Sequence, residues 1–167
     1  FQPKYDVSGA RPALCGAEAL VRWQHPELGM ISPGLFIPLF EDNGMVRDLD
    51  NYVWKMAAAQ IADWHRRFGR MLPISVNVSR IDLFDDSLLE RLNSICAANG
   101  LPRKALVLEI TESAYTEDTD KAIAVIAALR AAGYLVEMDD LGAGYSSLSM
   151  LLRMPIDAMK IDGAFIR

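Results

Sequence analysis

The apolar residues of this chain fall into two kinds of run. Short, nearly continuous stretches near 1–6, 16–23, 74–78, 105–110, 135–139 and 158–161 read as strands. The segments between them space their apolar residues by three and four. From near Asp48 onward, Leu49, Val53, Met56, Ala57, Gln60, Ile61 and Trp64 share one helical face. Leu88, Leu89, Leu92, Ile95 and Cys96 repeat that pattern ahead of Gly100, which suits a left-handed helix stop. A third helix is predicted over 118–132, closed by Gly133. Ser32-Pro33 predicts a cap and a first-turn proline for one more helix, which Pro38 is expected to break or restart. Alternating strands and helices predict an α/β fold with parallel strands and helical crossovers.

A run such as 105–110, apolar on both faces, requires a sheet covered on its outer side. An open doubly wound sheet and a closed (β/α)₈ barrel both meet that condition. The polar residues inside the strand-like runs favour the barrel. Glu18, Asn77, Glu109, the pair Asp139-Asp140 and Lys160 stand at or near the C-terminal ends of successive runs, where barrel active sites gather their side chains. Six strands are counted, against about 250 residues for a usual complete barrel, so two strands are expected to be missing.

Burying a carboxylate or ammonium among Leu, Ile and Val costs several kcal/mol unless it is paired or holds a metal. Taken singly, each residue has a structural explanation: Asn77 could satisfy a turn, Glu109 could pair with Arg22 or Lys160, and Asp139-Asp140 could cap a helix. Taken together, two adjacent carboxylates with Glu18 and Glu109 repel one another without a cation. A metal-binding active site is the simplest common cause.

Composition narrows the alternatives. With 51% hydrophobic and 23% charged residues, the 167-residue chain fits one globular domain with a real core. No run approaches the ~18 to 20 apolar residues of a membrane span, and no leader pattern is present, so the domain reads as cytoplasmic. A net charge of -5 without a basic stripe argues against DNA binding. Cys15 and Cys96 lack CxxC spacing and read as core thiols. His25 and His65 do not read as metal ligands, and Trp54 and Trp64 fit a packing stripe better than a base-stacking platform. Glu117, Asp118 and Asp120 belong to a helix N-terminus rather than a calcium site. Beginning at Phe1 and ending just after a strand-like run, the chain reads as a piece of a longer protein.

Five motifs then occur in one order: Glu18-Ala19-Leu20-Val21-Arg22-Trp23, Asn77-Val78-Ser79, Glu109-Ile110-Thr111-Glu112-Ser113, Asp139-Asp140-Leu141-Gly142-Ala143-Gly144-Tyr145-Ser146-Ser147 and Lys160-Ile161-Asp162. Together they resemble the EAL domain family of cyclic di-GMP phosphodiesterases, over the whole chain. The resemblance implies a (β/α)₈ barrel with a modified first strand and Mg²⁺- or Mn²⁺-dependent hydrolysis of cyclic di-GMP to linear pGpG. Carried over by motif, Glu18, Asn77, Glu109 and Asp139 hold one metal, and Asp139 bridges to a second that Asp140 also binds. Glu18, Asp139 and Lys160 form the catalytic set, with Lys160 orienting the water or stabilising charge. Arg22 contacts phosphate, Gln2 lies on the ligand side, and Glu112 anchors the loop Gly142 to Ser147.

The same resemblance implies fused sensory or GGDEF domains in a parent protein, itself open to membrane anchoring, and a homodimer through residues 141–153. Leu141 stands where the family usually has Phe. The family's last two strands, which carry a further metal-binding glutamate and a substrate-binding glutamine, fall beyond the chain. The alternative within the family is a non-catalytic receptor for cyclic di-GMP or a protein-interaction module.

Overall fold

The computed structural model describes residues 1–111, 114, 118–141 and 153–161, with Asp140 and Leu141 placed in a strand by backbone alone. Six strands form one sheet: β1 (Gln2–Asp6), β2 (Ala13–Glu18), β5 (Ile74–Asn77), β6 (Leu106–Thr111), β7 (Val136–Leu141) and β8 (Ala158–Ile161), in that spatial order. From β2 to β8 all neighbours are parallel. Helices α2 (Val46–Phe68), α4 (Leu88–Ala98) and α5 (Thr119–Ala131) lie in the crossovers between β2 and β5, β5 and β6, and β6 and β7.

β1 departs from the parallel expectation and runs antiparallel to β2. Its connection, residues 7–12, is too short for a helical crossover, which takes about a dozen residues or more. The predicted strand 16–23 also divides. β2 begins earlier and ends at Glu18, and Trp23–His25 (β3) pairs instead with Gly29–Ile31 (β4) in a separate hairpin. His25 serves that hairpin: its Nδ1 accepts the backbone N–H groups of Glu27 and Leu28, each at 3.1 Å.

Helix α1 (Pro33–Asn43) continues through Pro38, contrary to the expected break. The rings of Phe36 and Phe40 pack on each other and on Trp23, with centroids 5.5–5.9 Å apart. Tertiary packing of this kind outweighs one missing backbone hydrogen bond. Ser32 caps α1 with its carbonyl, which accepts the Leu35 N–H at 2.9 Å, and not with its hydroxyl. α2 starts at Val46 rather than near Asp48, and Gly100 and Gly133 have positive φ as their positions after α4 and α5 require. A one-turn helix, α3 (Arg80–Leu83), follows β5 without any apolar period to announce it.

Strand alternation sorts the residues into two faces. Ile74, Val76, Leu106, Leu108, Ile110, Val136 and Met138 are buried with Trp54, Ala57, Ala58 and Ile61 of α2, Leu92 and Ile95 of α4, and Ala122, Ile126 and Leu129 of α5. Residues of the opposite parity, including Glu18, Ser75, Asn77, Glu109, Glu137, Asp139 and Lys160, line the inner face. That face is concave. Lys4 on β1 touches Glu137 on β7, and Lys160 on β8 touches Glu18 on β2, each across three intervening strands. The sheet is therefore curled into part of a barrel, with helices outside and polar side chains within. Cys96 is buried in the outer core as expected, whereas Cys15 is exposed at the irregularity in the β1–β2 register, where Lys4 faces Gly16 and Tyr5 faces Leu14.

Candidate active site

The polar residues of the inner face form two connected groups. Near the C-terminal ends of the strands, one carboxylate oxygen each from Glu18, Glu109 and Asp139 lies within 4.8 Å of the others. Lys160 Nζ stands among them, 3.0 Å from Glu18 Oε2, 3.2 Å from Glu109 Oε2 and 2.9 Å from Asp139 Oδ2. Burial opposes the Lys160 charge, but hydrogen bonds to Asp139 and Glu18 and the negative field of Glu109 prevail, and its pKa is raised. The surrounding carboxylates thus favour the charged form of Lys160.

The second group lies deeper in the sheet and was not anticipated. Lys4 Nζ donates to Ser75 Oγ at 2.6 Å, Glu109 Oε1 at 2.8 Å and Glu137 Oε2 at 2.5 Å. Ser75 also donates to Glu137 Oε2 at 3.1 Å. Burial alone would lower the Lys4 pKa, yet the bonds and charges of Glu109 and Glu137 raise it. Glu109 joins the two groups. Its side chain is fully buried, and desolvation pushes its pKa up to about 7 even though Lys4 and Lys160 pull the other way. Sequence signals for this group existed: Glu137 shares parity with Asp139 in an apolar run, and Lys4 sits in the first strand. Only the curl of the sheet shows that they meet.

Asn77 pairs in register with Glu109 across β5 and β6, on the same inner face. Its carbonyl accepts the Trp54 indole N–H at 2.9 Å, so Trp54, buried at the centre of α2, ties the outer core to the site. Just beyond, the Ser79 N–H donates to Asp50 Oδ2 at 2.9 Å, and Ser79 Oγ accepts the Asp82 N–H at 3.2 Å. Asp82 is fully buried and paired with Arg91, while Arg47 binds Asp85 at 2.6 Å. This cluster fixes the turn that follows Asn77, and none of it was foreseen from the sequence. Burial, with Asp82 nearby, pushes the Asp50 carboxyl up to about 7. A cavity of about 480 Å³ lies beside the turn, lined by Val21, Asp50, Asn77, Ser79, Arg80 and Thr111 among others.

Gln2 pairs with Glu18 across β1 and β2 and so stands at the mouth of the site. Arg22 is exposed, and its guanidinium donates to the Val21 carbonyl at 2.8 Å. Glu112, the loop Gly142 to Ser147, Asp162, most of the 141–153 segment and the side chain of Asp140 lie outside the described residues.

Carboxylate oxygens converging beside an asparagine suit hard divalent cations such as Mg²⁺ and Mn²⁺. The buried Glu109 Oε2, which accepts no hydrogen bond, is a donor atom of this kind.

The chain is 38% identical over 167 residues to a cyclic di-GMP phosphodiesterase, PA2567, of Pseudomonas aeruginosa, covering 100% of this chain and 28% of that protein. It is 42% identical over 153 residues to an uncharacterized signaling protein of Caulobacter vibrioides, covering 92% of this chain and 18% of that one. The chain thus spans less than a third of the length of these relatives. The structure of the PaMucR phosphodiesterase in complex with c-di-GMP superposes with a TM-score of 0.86 at 35% identity, covering 92% of this chain and 62% of that one. The FimX EAL domain from Pseudomonas aeruginosa, at 23% identity, shares the fold with a TM-score of 0.85. These folds are EAL barrels, and the curled sheet is the corresponding part of one. The family model described as EAL domain matches residues 1–167, and the chain belongs to that family.

Proposed function

We propose that this chain is the metal-dependent phosphodiesterase domain of a larger bacterial signalling protein, hydrolysing cyclic di-GMP to linear pGpG. The observation that carries the reading is the convergence of Glu18, Glu109 and Asp139 around Lys160. The similarity to a cyclic di-GMP phosphodiesterase supports the substrate. Glu18, Asn77, Glu109 and Asp139 would hold one Mg²⁺ or Mn²⁺ ion, and Asp139 with Asp140 a second. Such a pair supplies Lewis-acid stabilisation and an acidified water.

The protein's own residues do the rest. Lys160, held cationic by its carboxylate neighbours, supplies fixed positive charge at the reacting phosphate and a donor that orients the incoming water. Arg22, exposed beyond Glu18, is free to take a phosphate oxygen pair with its planar fork. Gln2, opposite Glu18, offers an amide to the ligand from β1. Glu112 is assigned to anchoring the loop Gly142 to Ser147, and residues 141–153 to a homodimer contact. Fused sensory or GGDEF domains are expected in the parent protein, and the greater length of the relatives supports such an arrangement. Among the described residues no helix is long and apolar enough to cross a membrane, and a cytoplasmic location is part of the proposal.

The test is chromatographic: the purified chain is incubated with cyclic di-GMP and Mn²⁺ or Mg²⁺, and pGpG is quantified. Metal-dependent product that disappears in Glu18→Ala is expected. Cyclic di-GMP bound without turnover would replace the enzyme with a receptor, and neither binding nor turnover would sink both readings.

A further inference from the structure

We propose that Lys4 is a positioning residue for the metal site, clamping one oxygen of Glu109 so that the other is presented to the cation; this rests on the metal-dependent reading above. Lys4 reaches the inner face from β1, which runs antiparallel to β2. Its ammonium has three donors and three acceptors in reach: Ser75 Oγ, Glu109 Oε1 and Glu137 Oε2, all at 2.5–2.8 Å. The ammonium is therefore saturated and has no freedom to turn elsewhere.

Glu109 and Glu137 are direct partners across β6 and β7, so their carboxylates start on the same face one strand apart. Like charges in such a pair repel, and Lys4 binds both. The terminal torsion of a glutamate is broad and roughly two-fold, which leaves an unheld carboxylate free to rotate either oxygen toward the site. With Oε1 held by Lys4, Glu109 keeps a single oxygen for the carboxylate cluster. That oxygen, Oε2, is fully buried, accepts no hydrogen bond and lies 3.2 Å from Lys160 Nζ. Glu109 is thereby committed to giving one oxygen to a cation. Groups that hold metal ligands in this way change metal affinity by about 10- to 100-fold when removed.

Three variants separate this role from simple charge balance: Lys4→Met/Glu137→Met, which exchanges the ion pair for apolar side chains; Glu137→Gln, which keeps the Lys4–Glu109 bond; and Lys4→Gln. Mn²⁺ binding is read by isothermal titration calorimetry, and folding by circular dichroism melting. The double variant is expected to fold but to melt below the wild type, since the buried Glu109 loses its donor, and to bind Mn²⁺ about 10- to 100-fold more weakly, while Glu137→Gln keeps the wild-type affinity. Lys4→Gln, which retains a polar tip, gives the same weakening in a milder form and carries the comparison if the double variant does not fold. Wild-type Mn²⁺ affinity in the folded Lys4 variants would overturn the clamp and leave the metal centre standing. Equal loss in Glu137→Gln would also overturn it, by placing the effect on the group as a whole. A wild-type chain that takes up no Mn²⁺ would remove the metal centre itself, and the clamp with it.

Discussion

Lys160 Nζ lies 3.0 Å from Glu18 Oε2, although β8 and β2 are separated by β5, β6 and β7 in the sheet. Neighbouring strands are about 4.8 Å apart, so in a flat sheet the two side chains could not meet. The contact measures the curl that makes this sheet part of a barrel. It also brings the one lysine of the upper group into contact with three carboxylates that come from three other strands.

Lys160 is the counter-charge of that group, and its removal should act in two directions. In Lys160→Met, Glu18, Glu109 and Asp139 lose a cation within 3.2 Å. The metal-free protein is expected to melt below the wild type, and added Mn²⁺ to raise its Tm by more than it raises the wild type's, since a divalent ion takes over the charge balance. Turnover of cyclic di-GMP should fall steeply at saturating metal. Thermal shift with and without Mn²⁺, alongside product formation, checks both.

Glu18 contributes a carboxylate without being the buried hub. Its side chain is 12% exposed against none for Glu109. Glu18→Ala is therefore expected to fold and to lose metal-dependent turnover. Glu109→Ala should in addition destabilise the protein by about 1–3 kcal/mol, because Lys4 loses one of its two carboxylate partners. Urea unfolding of the two variants distinguishes them.

Trp54 connects the helical core to Asn77 through its indole N–H. Trp54→Phe keeps an aromatic ring but strands a part-buried carbonyl, at a cost of about 1–3 kcal/mol. The loss should be visible in urea midpoints, with a smaller fall in turnover than in Glu18→Ala, since Asn77 is displaced rather than removed.

Stability should fall as pH rises from near 4 toward 7. Burial lifts Asp50 from 3.8 to about 7 and Glu109 from 4.5 to about 7. Each holds its proton in the folded state over a window in which the unfolded chain has released it, so folding binds extra protons and weakens as protons become scarce. Asp50→Asn removes its share of that slope, because an amide does not titrate. Melting temperatures of metal-free wild type and variant from pH 4.5 to 7.5 test this. A wild-type Tm that climbs through the window would contradict the raised pKa values.

The sequence by itself determined the α/β class, the three long helices, the parallel strands from β2 to β8 and the family. Each rests on local information: period-3.6 and continuous apolar runs, glycines at helix ends, and motifs whose residues are adjacent in the chain. The same local logic picked out Glu18, Asn77, Glu109, Asp139 and Lys160 as polar residues in apolar strands, and the structure brings them to one face. Local rules misjudged Pro38, where aromatic packing on Trp23 holds α1 together, and Cys15, whose exposure goes with the shift in register between β1 and β2. Tertiary structure alone decided that Lys4 and Glu137 share a hydrogen bond across three strands, and that Asp50 and Asp82 brace the turn after Asn77. The reason is physical. Which strand edges meet and how far a sheet curls depend on the packing of its helices, and no window of neighbouring residues contains that information.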